Sequence, residues 1–433
     1  MKTYYIESLG CAKNLVDSEV FAYILESAGY SPAEDIETAE LILINSCAFL
    51  QSALAEFDQV LCTYVELKKG ALKSLIVSGC VMNRAAGEFQ ELFPEVDAWI
   101  GLKDFDAFRT FLHQTDPGKI QRSPLQEASY AYLRISDGCQ NYCSYCMIPS
   151  IRGELKSIPI EDLVQEAQAL IARGVQEIIL IAQDSCQYGL DIYGKRALPE
   201  LIEAIHTLEG YRWLRILYLH PDHFQMEWLE LYKRLPKLLP YFEIPIQHSE
   251  DRILKLMNRQ KGRKELTELF QTILRELPEA VLRTTLITGF PSETEAEHQA
   301  LLSFVKEIPF LALGCFCYSA EPGTPAYDMA EQIDDDLAEE RQNEILNLHN
   351  SLLEARLGAL VGSQIEVLVE EELDQDSEDD KITNYTGRTW FQAPDIDGQV
   401  VIRAHKLMPG EFALLEIEDV IDSDLFASDI KDR

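Results

Sequence analysis

The chain has 433 residues, 47% of them hydrophobic and 26% charged, which excludes a wholly disordered or fibrous protein and allows two or three domains. Its formal net charge is −35, a field that repels phosphate backbones and favours a basic protein partner over nonspecific nucleic-acid binding. The start MKTYYIESLG lacks a signal-peptide apolar core, and no run reaches the length of a membrane span, so the expected location is cytoplasmic, with no membrane partner.

Residues 1–120 alternate short apolar runs with helical spacing. Tyr4–Ile6, Leu41–Ile44 and Leu75–Val77 read as buried strands, and Asn14–Ala28 as a helix closed by Gly29. The alternation predicts a parallel sheet flanked by helices. Each strand is followed within a few residues by a cysteine: Cys11, Cys47 and Cys80. Ligands of open α/β sheets bind beyond the carboxyl ends of the strands, so the three can converge at one edge. Buried core cysteines would also fit that spacing. The polar stretch 113–129 reads as a linker, giving a first domain over 1–120.

A second β/α series starts near residue 131, within a domain expected over 125–357. Its apolar runs are Tyr132–Ile135, Glu177–Ala182, Leu214–Leu219, Phe242–Ile246, Leu282–Ile287 and Leu313–Tyr318, with helices such as Ile160–Arg173 between them. Ser292 and Glu295 form a candidate capping box for another helix. Six βα units make a partial barrel rather than the closed eight-stranded one. Residues 331–357 read as a charged helical connector. From 358 to 433 strand-like stretches around turn signals predict a small all-β barrel, and residues 361–433 are net −13. The acid run Glu370–Asp380 reads as a solvated loop.

Ten cysteines without a secretory signal point to metal or redox chemistry instead of disulfides. Cys139, Cys143 and Cys146, in SDGCQNYCSYCMIP, put three thiols within eight residues. Three thiolates can hold three irons of a 4Fe–4S cube and leave the fourth open, whereas structural zinc takes a closed set of four. Cys62, Cys186, Cys315 and Cys317 are expected to be structural.

The C-x3-C-x2-C spacing, with Tyr145 directly before its third cysteine, resembles the radical S-adenosylmethionine (SAM) family. That resemblance implies that the open iron chelates SAM. An electron passed through the cluster then cleaves SAM to a 5′-deoxyadenosyl radical, which abstracts hydrogen from a C–H bond. With the motif present, TLITGFPSETE (285–295) resembles the family's SAM-contacting segment, which makes Gly289 a cofactor-binding candidate. Tyr145, Gln183, Asp184 and Arg283 join it as candidates for the SAM cleft. Without the motif, a plain strand–helix turn accounts for Gly289, strand-end turns for Gln183 and Asp184, and a surface ion pair for Arg283. No catalytic residue is expected beyond the cluster ligands.

SLGCAKNLVDSE (8–19), INSCAF (44–49) and VSGC (77–80) resemble the N-terminal domain of the methylthiotransferases, and 361–433 resembles a TRAM domain, an OB-like barrel. By that resemblance Cys11, Cys47 and Cys80 hold a second 4Fe–4S cluster, where a sulfur species binds. The cofactors implied are therefore two 4Fe–4S clusters and SAM. Within this family one branch modifies an adenosine of tRNA, and the other an aspartate β-carbon of small-subunit ribosomal protein twelve. Gln247-His248 stands where the tRNA enzymes typically read Gln-Ser-Gly, and Glu321 where they usually place Arg. AQDS (182–185) resembles the ribosomal-protein branch, and the acidic C-terminal barrel is a poor surface for tRNA. After IRG (151–153) the chain departs from the family, with Lys156 and Ile158 where two arginines are common. The expectation is a radical SAM methylthiotransferase acting on the ribosomal protein. The alternatives are a tRNA methylthiotransferase and a two-cluster electron carrier or scaffold. The electron donor and sulfur donor are not legible in the sequence.

Overall fold

The computed structural model describes residues 2–114, 121–126, 128–373 and 382–429. The chain forms two compact units that cut across the linear order: residues 1–127, 137–156 and 319–327 in one, and 128–136, 157–318 and 328–433 in the other.

The first unit is built on a five-stranded parallel sheet. Its strands are β1 (Lys2–Ser8), β2 (Tyr30–Pro32), β3 (Leu41–Ser46), β4 (Ser74–Gly79) and β5 (Ala98–Trp99), in the order β2-β1-β3-β4-β5. β3, LILINS, is buried along its whole length because it is central and covered on both faces, which explains its continuous apolar run. α1 (Ala12–Ser27) and α2 (Gln51–Leu67) cover the sheet. One face packs Phe57, Leu61, Ile44 and Val77; the other packs Phe21 edge-on against Phe105 and Phe108. The two short edge strands, β2 and β5, had no periodic signal in the sequence.

The second unit carries the six expected βα strands: β6 (Tyr130–Arg134), β7 (Glu177–Ile181), β8 (Trp213–Ile216), β9 (Tyr241–Glu243), β10 (Val281–Thr288) and β11 (Ala312–Cys317). All pair parallel, as two three-stranded sheets, and a parallel bridge from Leu214 to Leu238 joins the edge of β8 to the segment entering β9. The result is a curved, incomplete barrel whose core holds Leu133, Leu180, Phe242 and Leu286. The capping box forms two residues later than expected, on Thr294 and Glu297, because Ser292 adopts φ +65° and its turn is not yet helical. The connector is one helix, Asp335–Gly358.

The chain ends in a closed barrel of β12 (Gln364–Glu372), β13 (Thr383–Thr389), β14 (Val400–Ala404), β15 (Phe412–Ile421) and β16 (Asp424–Ser428). It is fastened to the amino-terminal ends of the parallel strands. At the start of β7, Glu177 pairs with Arg388; Tyr130 in β6 bonds Asp395, and Asp397 receives Tyr241 in β9 and Arg283 in β10. Residues 374–380 of the acid run, and 115–120 and 127 of the expected linker, lie outside the described residues.

Candidate metal centres

Cys11, Cys47 and Cys80 leave the carboxyl ends of three adjacent parallel strands, β1, β3 and β4, whose register aligns Ser8 with Asn45 and Asn45 with Ser78. Two glycines open the space for them. At Gly10 (φ +99°) an added Cβ would stand 2.6 Å from Cys47 Cβ; at Gly79 (φ +98°) it would meet the Ser46 carbonyl oxygen at 2.4 Å. Asn14, in the first turn of α1, organises the site. Its Nδ2 donates to the carbonyls of Leu9 and Ser46, both at 2.9 Å. Its Oδ1 lies 3.9 Å from Cys11 Sγ and 3.8 Å from Cys80 Sγ, so the two sulfurs flank one oxygen.

Arg152 reaches the same oxygen from the end of the short helix Ile148–Arg152 that follows Cys146. Its Nη2 donates to Asn14 Oδ1 at 2.6 Å and lies 3.5 Å from Cys80 Sγ. Its Nη1 spans both oxygens of Asp137, at 3.2 and 3.3 Å, with Asp17 at 3.8 Å. Lys103 also pairs with Asp137. Burial raises the Cys80 thiol to about 11 against the opposing pull of Arg152. Burial also raises Cys47, whereas at Cys11 the same penalty is outweighed by Lys13 and Arg152, which lower it.

The second set, Cys139, Cys143 and Cys146, belongs to the same compact unit, and all three are half-buried. The loop is closed at its base, where Cys139 N–H bonds the Gly153 carbonyl at 3.0 Å. Gly138 (φ +77°) must be glycine, since a Cβ would sit 2.0 Å from the Glu154 carbonyl oxygen. Cys146 N–H bonds the Cys143 carbonyl at 3.0 Å, and Ile148 N–H points at Cys146 Sγ at 3.5 Å. Each set therefore offers soft thiolate donors, three to a site, on backbone shaped by obligatory glycines. That donor chemistry fits an iron–sulfur cluster with one iron left open better than a closed zinc site.

Glu321 is buried in this unit too. It takes Gln51 N–H at 3.0 Å and pairs with Arg84, which in turn holds the Ala48 carbonyl beside Cys47. An arginine at 321 would face Arg84 with like charge.

The SAM-cleft candidates are distributed over both units. Tyr145 sits in the cysteine loop. Asp184 follows β7, where it accepts Cys186 N–H at 3.0 Å and Gln187 Nε2 at 2.9 Å; Gln183 precedes it. Gly289 ends β10 at φ +70°, where a Cβ would stand 2.4 Å from Ala338 Cβ, and its N–H is taken by Glu293 at 2.6 Å. Buried His248 bonds that same Glu293 at 3.4 Å, which ties the Gln247-His248 segment to the Gly289 turn. Arg283 stands apart from these, toward the amino-terminal half of β10 in an ion pair with Asp397. Cys186 and Cys315 are buried, Cys317 donates to Gln342, and Cys62 is exposed on α2.

One cluster escaped the sequence reading. Beyond the carboxyl ends of β7 and β8, His223 Nδ1 meets Asp184 at 2.7 Å, and His220 stacks on His223 with ring centres 4.8 Å apart. Arg259 Nη1 lies 3.0 Å from His220 Nε2. Burial first, and then Arg259, hold the His220 pKa well below its usual value. The signal available was LYLHPDHF (217–224), two histidines just past an apolar strand.

Models of three known families match the chain: Uncharacterized protein family UPF0004 over residues 3–101, the Radical SAM superfamily over 133–305, and the TRAM domain over 361–430. The chain is 39% identical over 433 aligned residues to the ribosomal protein uS12 methylthiotransferase RimO of Thermotoga maritima, covering 98% of this chain and 99% of that one. It is 37% identical over 445 aligned residues to the protein of the same name from Lachnoclostridium phytofermentans, covering 99% and 100%. In fold it is similar to the radical S-adenosylmethionine methyltransferase TsrM from Kitasatospora setae, with a TM-score of 0.55 at 13% identity over 75% of this chain and 74% of that one.

Proposed function

The chain belongs to the ribosomal protein uS12 methylthiotransferase family, and from that premise we propose that it attaches a methylthio group to the β-carbon of an aspartate on uS12. The observation that carries this reading is the presence of two separate three-cysteine sets in one compact unit. A radical enzyme that only abstracts hydrogen needs one such set; delivering sulfur to the resulting carbon calls for a second.

The roles divide accordingly. Cys139, Cys143 and Cys146 are assigned to the cluster that chelates SAM, and Cys11, Cys47 and Cys80 to the cluster that carries the transferred sulfur. When bound, these groups supply the electron that cleaves SAM, the methyl group and the sulfur. The protein's own residues fix the geometry. Asn14 and the glycines at 10, 79 and 138 hold the cysteines in place. Glu293, taking Gly289 N–H and receiving His248 and Arg341, sets the turn assigned to SAM. Asp184, His220, His223 and Arg259 form a polar patch at the carboxyl ends of β7 and β8, where the strands of a partial barrel present their ligands.

The net charge of −35 suits a basic ribosomal protein. No helix among the described residues is long and apolar enough to cross a membrane. We place the reaction in the cytoplasm, where ten cysteines stay reduced. The test is an anaerobic reaction of reconstituted protein with SAM and a reductant, with purified uS12 and a tRNA anticodon stem-loop in competition. A methylthio mass increment on the uS12 aspartate is expected. An increment on the RNA, with the protein unchanged, refutes the reading.

A further inference from the structure

Arg152, at the end of the short helix that follows Cys146, is placed against a cysteine of the other set: its Nη2 lies 3.5 Å from Cys80 Sγ and 2.6 Å from Asn14 Oδ1, while its Nη1 is held by Asp137. The side chain is almost wholly buried, as are Asp137 and Asp17 beside it. A surface arginine serving as a simple ion pair has no reason to point its second nitrogen at a sulfur. Here the fork is split, with one arm on a carboxylate and the other on a thiol ligand.

We propose that Arg152 is a positioning residue that sets the reduction potential of the group held by Cys11, Cys47 and Cys80, by donating to Cys80 Sγ with a charge that Asp137 only partly neutralises. This rests on the assignment of a cluster to those three cysteines. Reduction adds one electron to an anionic centre whose potential responds to nearby charge and to hydrogen bonds on its sulfurs. A buried guanidinium at hydrogen-bond range stabilises the reduced form more than the oxidised one, so it raises the potential. Because Asp137 offsets that charge, the two residues act with opposite sign. Arg152 also follows Cys146 by six positions, so any shift of that loop moves the donor on Cys80.

The experiment is a dithionite titration followed by electron paramagnetic resonance. It uses the full chain carrying Cys139→Ala, Cys143→Ala and Cys146→Ala, so that only the cluster at Cys11, Cys47 and Cys80 is read. Iron content and the resonance signal of this parent decide whether a cluster sits there at all, separately from the potential. Arg152→Gln is expected to lower the reduced-to-oxidised ratio at the parent's midpoint at least tenfold, about 59 mV for a one-electron couple. Arg152→Lys, which keeps the charge, should fall between the two. Asp137→Asn should move the potential upward and leaves Arg152 on Cys80, so it carries the test by itself if Arg152→Gln does not hold iron. Unchanged potentials, or shifts of the same sign in Arg152→Gln and Asp137→Asn, overturn the proposal and leave Arg152 as structural packing.

Discussion

Replacing Glu177 with glutamine removes one charge from a fully buried ionic network of the second unit. Glu177 and Arg215 are both fully buried. Oε1 of Glu177 takes Arg215 Nε at 2.5 Å and Oε2 takes Arg388 Nη2 at 2.7 Å. Arg388 forks onto Glu370 as well, but Arg215 has otherwise the Trp390 carbonyl at 3.0 Å and the face of Tyr241. Glutamine keeps the shape, so the loss isolates the charge. Breaking a buried pair while its partners remain typically costs about 3–5 kcal/mol. Urea unfolding followed by tryptophan fluorescence reads this unit, because three of the four tryptophans (Trp213, Trp228 and Trp390) lie in it. A loss below about 1 kcal/mol, the range of an exposed pair, would refute the reasoning. A triple change, Glu177→Leu with Arg215→Met and Arg388→Met, should be less damaging than Glu177→Leu alone, since it leaves no fully buried stranded charge; Glu370, which loses Arg388, is partly exposed. The pH dependence has a definite sign. Burial raises the Glu177 pKa, but Arg215 and then Arg388 pull it below the ordinary glutamate value. The stabilisation is therefore complete above the unfolded pKa and is lost as pH falls through the depressed folded one.

Replacing either cysteine set with alanine should remove roughly half of about eight irons per chain, measured after anaerobic reconstitution. Loss of Cys139, Cys143 and Cys146 should also abolish SAM cleavage, whereas loss of Cys11, Cys47 and Cys80 should block sulfur insertion and leave part of the cleavage. Gly289→Ala places a Cβ 2.4 Å from Ala338 Cβ at a positive φ. It should destabilise by about 1–3 kcal/mol in the same urea assay and weaken SAM binding, measured by calorimetry.

The order of strands was legible because buried parallel strands write continuous apolar runs, and all six of the second unit fall within a few residues of where those runs lie. The six candidate ligand cysteines were legible as two sets because their spacing is local in one set and tied to strand ends in the other. What stayed hidden was long-range. Nothing near Arg152 in sequence announces Asn14 or Cys80, 138 and 72 residues away. Glu321 carried a branch signal, yet its partner Arg84 is 237 residues distant. Arg283 is a cleft candidate by family resemblance alone, and its ion pair with Asp397 near the start of β10 depends on a residue 114 positions away that its own sequence does not announce. The helix start was misjudged at Ser292 because a serine two residues early satisfies the same sequence rule as Thr294, and only backbone φ separates them.

The placement of the C-terminal barrel changes what its acidity can do. Parallel βα strands present their ligands at carboxyl ends, and the cleft candidates Asp184 and Gly289 stand at those ends. The all-β barrel is fixed at the opposite ends, through Asp395 on Tyr130, Arg388 on Glu177 and Asp397 on Tyr241 and Arg283. Deleting residues 361–433 would strip partners from buried Glu177, Arg215 and Tyr241, so truncation measures the stability of the floor before it measures substrate docking. We propose that the charge of −13 on that module acts at a distance, by steering a basic protein toward the molecule, and salt should then weaken it on the scale of the Debye length. On that proposal, choice among substrates is assigned to groups at the other end of the strands, where His220, His223 and Arg259 gather around Asp184.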